Sequence, residues 1–167
     1  RQEVDRLGPL GSGQTVAIIG GGPGGAGCAL ALRKYARERN LNIKVVIYEG
    51  KDYESSPHYN QCVGVLSPPL AEILENELGV PFPYHLSQRE ITGYILHSDH
   101  QVLPLPGEGE SSVAVRRVTF DSYLLNQAKE AGVEIVLGRV TDVEFHGDSV
   151  IVYSETDSRP VDVVVGA

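Results

Sequence analysis

Gly20, Gly22 and Gly25 follow a G-x-G-x-x-G spacing inside AIIGGGPGGAGCALAL (17–32), between an apolar run and a helix-like one. Each glycine answers a separate need of a bound pyrophosphate. The first permits a tight turn, the second lets phosphate approach bare backbone, and the third lets helix and strand pack closely. The phosphates would rest on free N–H groups at the positive end of the helix. Pro23 suits the entry to a helix, where its missing donor costs little, and Gly24 continues that turn. Glu49, followed by Gly50, ends the next apolar run, slightly beyond the usual spacing of about 20 residues. A carboxylate there accepts hydrogen bonds from a ribose 2′-OH and would repel the 2′-phosphate of NADP. A glycine turn used only for packing would not require that acid, so the combination points to dinucleotide binding.

Few other side chains are placed for chemistry. Arg117, at the end of an expected strand, offers a planar multi-donor guanidinium to an anionic ligand. Strand neighbours alternate faces, so Arg116 could equally be the inward one. Cys62 has no CxxC partner and Cys28 lies far from it. Cys62 reads as a pocket-shaping residue, a reactive thiol or a packed side chain, and Cys28 as packing within a helix. His97 and His100 flank a turn without further ligands at metal spacing, so no metal site is expected. His58 lies in a loop, and no nucleophile–base pairing or glycine–serine elbow is present to give it a partner.

The elements that must hold these residues can be read from periodicity. Gln14–Ile19 predicts a buried strand, Gly24 to about Asn40 a helix, and Ile43–Tyr48 a second strand, together a parallel crossover. Arg33, Lys34, Arg37 and Arg39 form a solvated helix face that complements its dipole. The alternation then breaks. A loop over Lys51–Leu66 precedes a short helix from Pro68-Pro69 to Leu78 and an irregular Gly79–Ser87. Ile91–His97 and Gln101–Leu105 read as strands about a Ser98–His100 turn, followed by a loop over Pro106–Glu110. A strand over Val113–Arg117 should lead into a helix capped by Thr119 and ended by Gly132. Val133–Leu137, a Val140–Phe145/Val150–Glu155 hairpin and Val161–Val165 complete the strands.

The 167 residues, 41% hydrophobic and 22% charged, suit one globular domain. A net charge of −8 argues against a general nucleic-acid binder. Two cysteines rule out a disulfide-built scaffold and leave a single disulfide open. The apolar runs are far short of a membrane span, and no secretory signal opens the chain, so a cytoplasmic location is the default. Residues 1–12 read as a tag or disordered N-terminus, because Gly8–Ser12 looks like an expression-vector scar. The last strand meets its loop at Ala167, which reads as the edge of a fragment.

After Glu49 the chain departs for some sixty residues, returns through a helix and strand, then inserts a hairpin before the last strand. Cys62-Val63-Gly64-Val65-Leu66-Ser67-Pro68, the Arg117–Leu124 stretch with its Arg-x-x-Phe-Asp-x-x-Leu pattern, Gly138–Val143 and Val161–Ala167 accompany the glycine turn. In that order and in those segments the chain resembles the glutathione-reductase-type FAD fold, and within it the geranylgeranyl reductases and flavin-dependent hydroxylases. The resemblance implies an α/β, Rossmann-like FAD-binding fold with a parallel sheet and a β-meander. It also implies one FAD-binding domain over 13–167, truncated, carrying a partial β-rich substrate-domain insertion at about 68–112.

What the resemblance implies for the site is specific. FAD is the cofactor, held by Gly20, Gly22, Pro23, Gly24, Gly25, Glu49, Gly50, Arg117 and by backbone around Val140, which meets the adenine. Cys62 and Gly64 lie near the flavin and substrate pocket. No catalytic residue is assigned. The family's next aspartate would follow Ala167, so these residues alone are not expected to turn over. The implied reaction is hydride transfer from reduced flavin to a carbon–carbon double bond of an isoprenoid-type substrate. An aromatic-type flavin monooxygenase and a non-enzymatic dinucleotide-binding module are the alternatives. The external electron donor, NAD(P)H or ferredoxin, and the oligomeric state stay open. The expected partner is a small molecule, a lipid under this reading, with membrane contact at most peripheral and no nucleic acid.

Overall fold

The computed structural model describes residues 10–53, 62–107, 109, 111–147 and 149–167. The chain opens with β1 (Thr15–Ile19), α1 (Pro23–Glu38) and β2 (Lys44–Glu49). It then runs through β3 (Val65–Leu66) and α2 (Leu70–Glu72), which continues into a π-helical turn at Ile73–Leu78. After a 3₁₀ turn at Tyr84–Leu86 come β4 (Ser87–Ile91), β5 (Gly93–His97), β6 (Val102–Pro106) and β7 (Ser112–Val115). The remainder is α3 (Arg117–Glu130), β8 (Glu134–Leu137), β9 (Val140–His146), β10 (Ser149–Ser154), β11 (Ser158–Val161) and β12 (Val163–Gly166).

A four-stranded parallel sheet, ordered β12-β1-β2-β8, positions the site. Its central strands β1 and β2 are buried on both faces, which is why they read as continuous apolar runs rather than alternating ones. Val16, Ile18, Val45 and Ile47 point toward Ala29, Leu30, Leu124 and Ala128 of α1 and α3. Their neighbours Ala17, Val46 and Tyr48 point the other way, onto Val150, Val152 and Val161 of the β9-β10-β11 meander. The result is three layers: helices, parallel sheet, antiparallel meander. Burying each of these branched side chains contributes about 1.5–3 kcal/mol before entropy is charged. The fold is thus α/β and Rossmann-like, with a meander and further β-structure between β2 and α3.

Both long helices end in the same way. Asn40 (φ 53°) and Gly132 (φ 87°) adopt left-handed backbone. The N–H groups of Leu41 and Val133 then return to the carbonyls of Ala36 and Ala128. This paired closure satisfies carbonyls that the helix leaves free.

Five expectations need correction. The strand expected over Val113–Arg117 stops at Val115, and Arg117 opens α3 instead. Arg116, extended and without a side-chain cap, is the N-cap, because its carbonyl accepts the Phe120 N–H. Thr119 therefore lies inside the first turn. The run Ile91–His97 breaks at Thr92, leaving β4 on β7 and β5 on β6. The run Val161–Val165 divides at Asp162, whose carboxylate accepts the Thr15 N–H (2.7 Å) as the chain crosses from the meander to the parallel sheet. A short strand, β3, also stands inside the expected Lys51–Leu66 loop and pairs with β7.

Among the described residues, no helix is long and apolar enough to cross a membrane. Leu10 packs on the core, and Ser12 Oγ accepts the Asn42 N–H. His58, Tyr59, Asn60 and Gln61 lie outside the described residues.

Candidate functional site

The glycine turn sits between β1 and α1, at the C-terminal edge of the sheet. Gly20 has φ 108°, a left-handed backbone that any side chain would strain, and a Cβ there would strike the Ala167 carbonyl. Its N–H donates to the Tyr48 carbonyl (2.9 Å), tying the turn to β2. A Cβ on Gly25 would strike the Gly20 carbonyl and crowd Ile18, so close strand–helix packing requires glycine here. Gly22 and Gly24 differ: a Cβ on either would meet nothing within 4 Å. Gly22 is the N-cap of α1, with no side-chain cap and no acid in the first turn to compete for its N–H groups. Two glycines are therefore demanded by packing, and two leave open an approach to the helix N-terminus. That is the geometry an anionic ligand needs.

Glu49 lies beside this turn, 8% exposed. Its Oε2 accepts the Gly21 N–H and its Oε1 the Lys51 N–H, both at 2.8 Å. The carboxylate is thus fixed by backbone donors, and each oxygen keeps a further lone pair for a hydroxyl. Gly21 is a constraint that spacing did not reveal, because a Cβ there would stand 2.9 Å from Glu49 Oε2. A cleft of about 230 Å³ continues from the turn past Glu49 and Gly50 to Val140. Its far side is pinned by the Gly138 N–H, which donates to the Glu49 carbonyl (2.9 Å).

Arg117 and Cys62 meet nearby. Arg117 Nε donates to Asp121 Oδ1 at 2.7 Å, one helical turn along, and its Nη1 lies 3.4 Å from Cys62 Sγ. Asp121 is buried, and the helical register that pairs it with Arg117 was hidden by reading Arg117 as a strand residue. Gly64 brings the two segments together. It has φ 73°, a Cβ on it would strike the Val115 carbonyl, and its N–H reaches Cys62 Sγ at 3.4 Å. That N–H, and then the guanidinium, hold the exposed Cys62 thiol below its ordinary range. Tyr53 links this cluster to the acid: burial, then the charges of Glu49 and Asp121, push its phenol up to about 12.

The structure therefore brings Gly20, Gly22, Pro23, Gly24, Gly25, Glu49, Gly50 and Val140 to one edge of the sheet, with Arg117, Cys62 and Gly64 as a second group. Tyr53, Asp121 and Arg139 are neighbours to which the sequence reading assigned no role, although Asp121 and Arg139 lie within segments it singled out. Contacts between distant segments mark Tyr53 and Arg139, and the helical register of α3 marks Asp121.

Comparison with known proteins gives a consistent picture. No protein-family model matches the chain. It is 30% identical over 178 aligned positions to the chloroplastic geranylgeranyl diphosphate reductase of rice (Oryza sativa subsp. japonica), covering 95% of this chain and 35% of that protein. The chain thus spans about a third of that relative's length. A geranylgeranyl bacteriochlorophyll reductase-like protein from Thermoplasma acidophilum superposes with a TM-score of 0.68 at 22% identity, over 92% of this chain and 39% of the other. The halogenase PltM, in a complex with phloroglucinol and FAD, gives 0.69 at 18% identity, over 92% and 34%. The architecture is the FAD-binding fold of flavin-dependent oxidoreductases.

Proposed function

We propose that this chain provides the FAD site of an oxidoreductase that reduces carbon–carbon double bonds of an isoprenoid-type substrate. The observation that carries the FAD site is the turn at Gly20–Gly25. Its packing glycines are fixed, while Gly22 and Gly24 face open space at an uncapped helix N-terminus. Under this reading the N–H groups of that turn bind the pyrophosphate, and Glu49 accepts from the ribose hydroxyls. Gly50 and Val140 border the adenosine, Arg117 steadies the cofactor's polar oxygens, and Cys62 with Gly64 shapes the pocket wall. Bound FAD supplies hydride chemistry, and the protein supplies binding and orientation. Similarity to the rice reductase supports the isoprenoid class of substrate.

Flavin-dependent oxygenation is the second reading, supported by the equally good superposition on a halogenase. A shared fold does not choose between reactions. The first experiment is the visible spectrum of the protein incubated with FAD and desalted, beside Gly22→Val. A retained flavin band in the parent, lost in a variant that melts normally, is the expected result. No retained band in the parent would overturn the FAD assignment. With FAD bound and chemically reduced, consumption of a geranylgeranyl substrate supports the reductase, whereas oxygen-dependent modification of an aromatic supports the alternative.

A further inference from the structure

We infer that Arg139 stacks on the base of the bound dinucleotide. The inference rests on the glycine turn holding a pyrophosphate. With phosphate at Gly22 and a ribose at Glu49, the attached base must continue into the cleft between Gly50 and Val140. One wall of that cleft is Arg139. Its Cβ and Nε stand 3.5 and 3.7 Å from where a Cβ on Gly50 would be, so the side chain runs over Gly50 and not away from it.

Among the described residues the guanidinium has no hydrogen-bond or ion-pair partner. Arg33, Arg117 and Arg159 are all engaged in hydrogen bonds or ion pairs, whereas the Arg139 side chain bonds none of the described residues. Its backbone, by contrast, is clamped. The Arg139 N–H donates to Glu155 Oε2 (3.1 Å), and the Arg139 carbonyl accepts the Glu155 N–H (3.0 Å). A rigid backbone carrying an uncommitted planar cation beside a cleft is suited to stacking on a base, which a guanidinium does and an ammonium does not. Pairing with a 2′-phosphate is the competing use, and the fixed carboxylate of Glu49 opposes it.

Calorimetric titration of the parent, Arg139→Ala, Arg139→Lys and Gly22→Val with FAD, ADP and 2′-phospho-ADP tests this. Arg139→Ala is expected to weaken FAD and ADP alike by about ten-fold with an unchanged melting temperature, and Arg139→Lys not to restore them. Full rescue by lysine, or tighter binding of 2′-phospho-ADP than of ADP by the parent, would show a point charge at work and overturn stacking. Unchanged affinity in Arg139→Ala with binding abolished in Gly22→Val overturns the inference and leaves the FAD site standing. A parent that binds none of the three ligands overturns both.

Discussion

The two cysteines differ in what surrounds them. Burial pushes the Cys28 thiol up, while the Gly64 N–H and then Arg117 bring the exposed Cys62 thiol down. Because the thiolate is the nucleophile, iodoacetamide at neutral pH should label Cys62 well before Cys28. Arg117→Ala should move the pH–rate profile of that labelling upward. Peptide mapping reads both effects, and a profile unmoved by Arg117→Ala would show that the 3.4 Å contact does not tune the thiol. The glycines divide just as clearly. Gly25→Ala should cost about 1–3 kcal/mol of stability through its collision with the Gly20 carbonyl. Gly22→Ala should leave the urea midpoint nearly unchanged. Equal midpoints would refute the packing assignment of Gly25. The glycine types and their acid were legible from spacing, since a dinucleotide turn sets its glycines and its strand-end carboxylate at recurring distances. Gly21 and Arg139 were not, because what constrains them is Glu49 and Gly50, brought in from other strands.

Strands were legible as apolar runs, but a run does not say where a strand changes partner. Val161–Val165 looks uniform, yet it leaves one sheet and joins another at Asp162. At α3, Thr119 had the chemistry of a cap but not the position, since Arg116 already begins the helical hydrogen bonds. The meander is held to the parallel sheet partly by charge. Arg159 on β11 makes a two-pronged bond to Glu134 on β8 (2.9 and 2.8 Å) and donates to Asp157 (2.6 Å). The Arg159 bond holds the Glu134 carboxyl below its usual range. A depressed folded value adds stability above the ordinary glutamate range, and that stability is lost as pH falls through the folded value. Arg159→Ala should therefore cost about 1 kcal/mol at pH 7, a modest figure for a partly exposed network. The cost should shrink at pH 3. Urea melts at the two pH values check this, and a cost that is independent of pH would assign the effect to packing.

Across the whole molecule, apolar surface is unevenly covered. The central strands of the parallel sheet are buried on both faces, whereas the β5–β6 hairpin presents Tyr94, Leu96, Leu103 and Leu105 on one face, each at least 41% exposed. Surface of this kind favours association. Leu96→Ser with Leu103→Ser should lower binding of an anilinonaphthalene dye and light scattering while leaving the melting temperature unchanged. Unchanged dye binding would show that the face is covered in solution. The order of the parallel sheet has a further consequence, in time rather than in space. β1 is made early, but one of its two neighbours is β12, and the Thr15 N–H bonds a carboxylate 147 positions later. At ribosomal rates of about 5–20 residues per second, the strand that carries the glycine turn waits on the order of ten seconds with an open edge. The cleft beside the glycine turn, whose lining includes Ala167, therefore cannot close until β12 has been made.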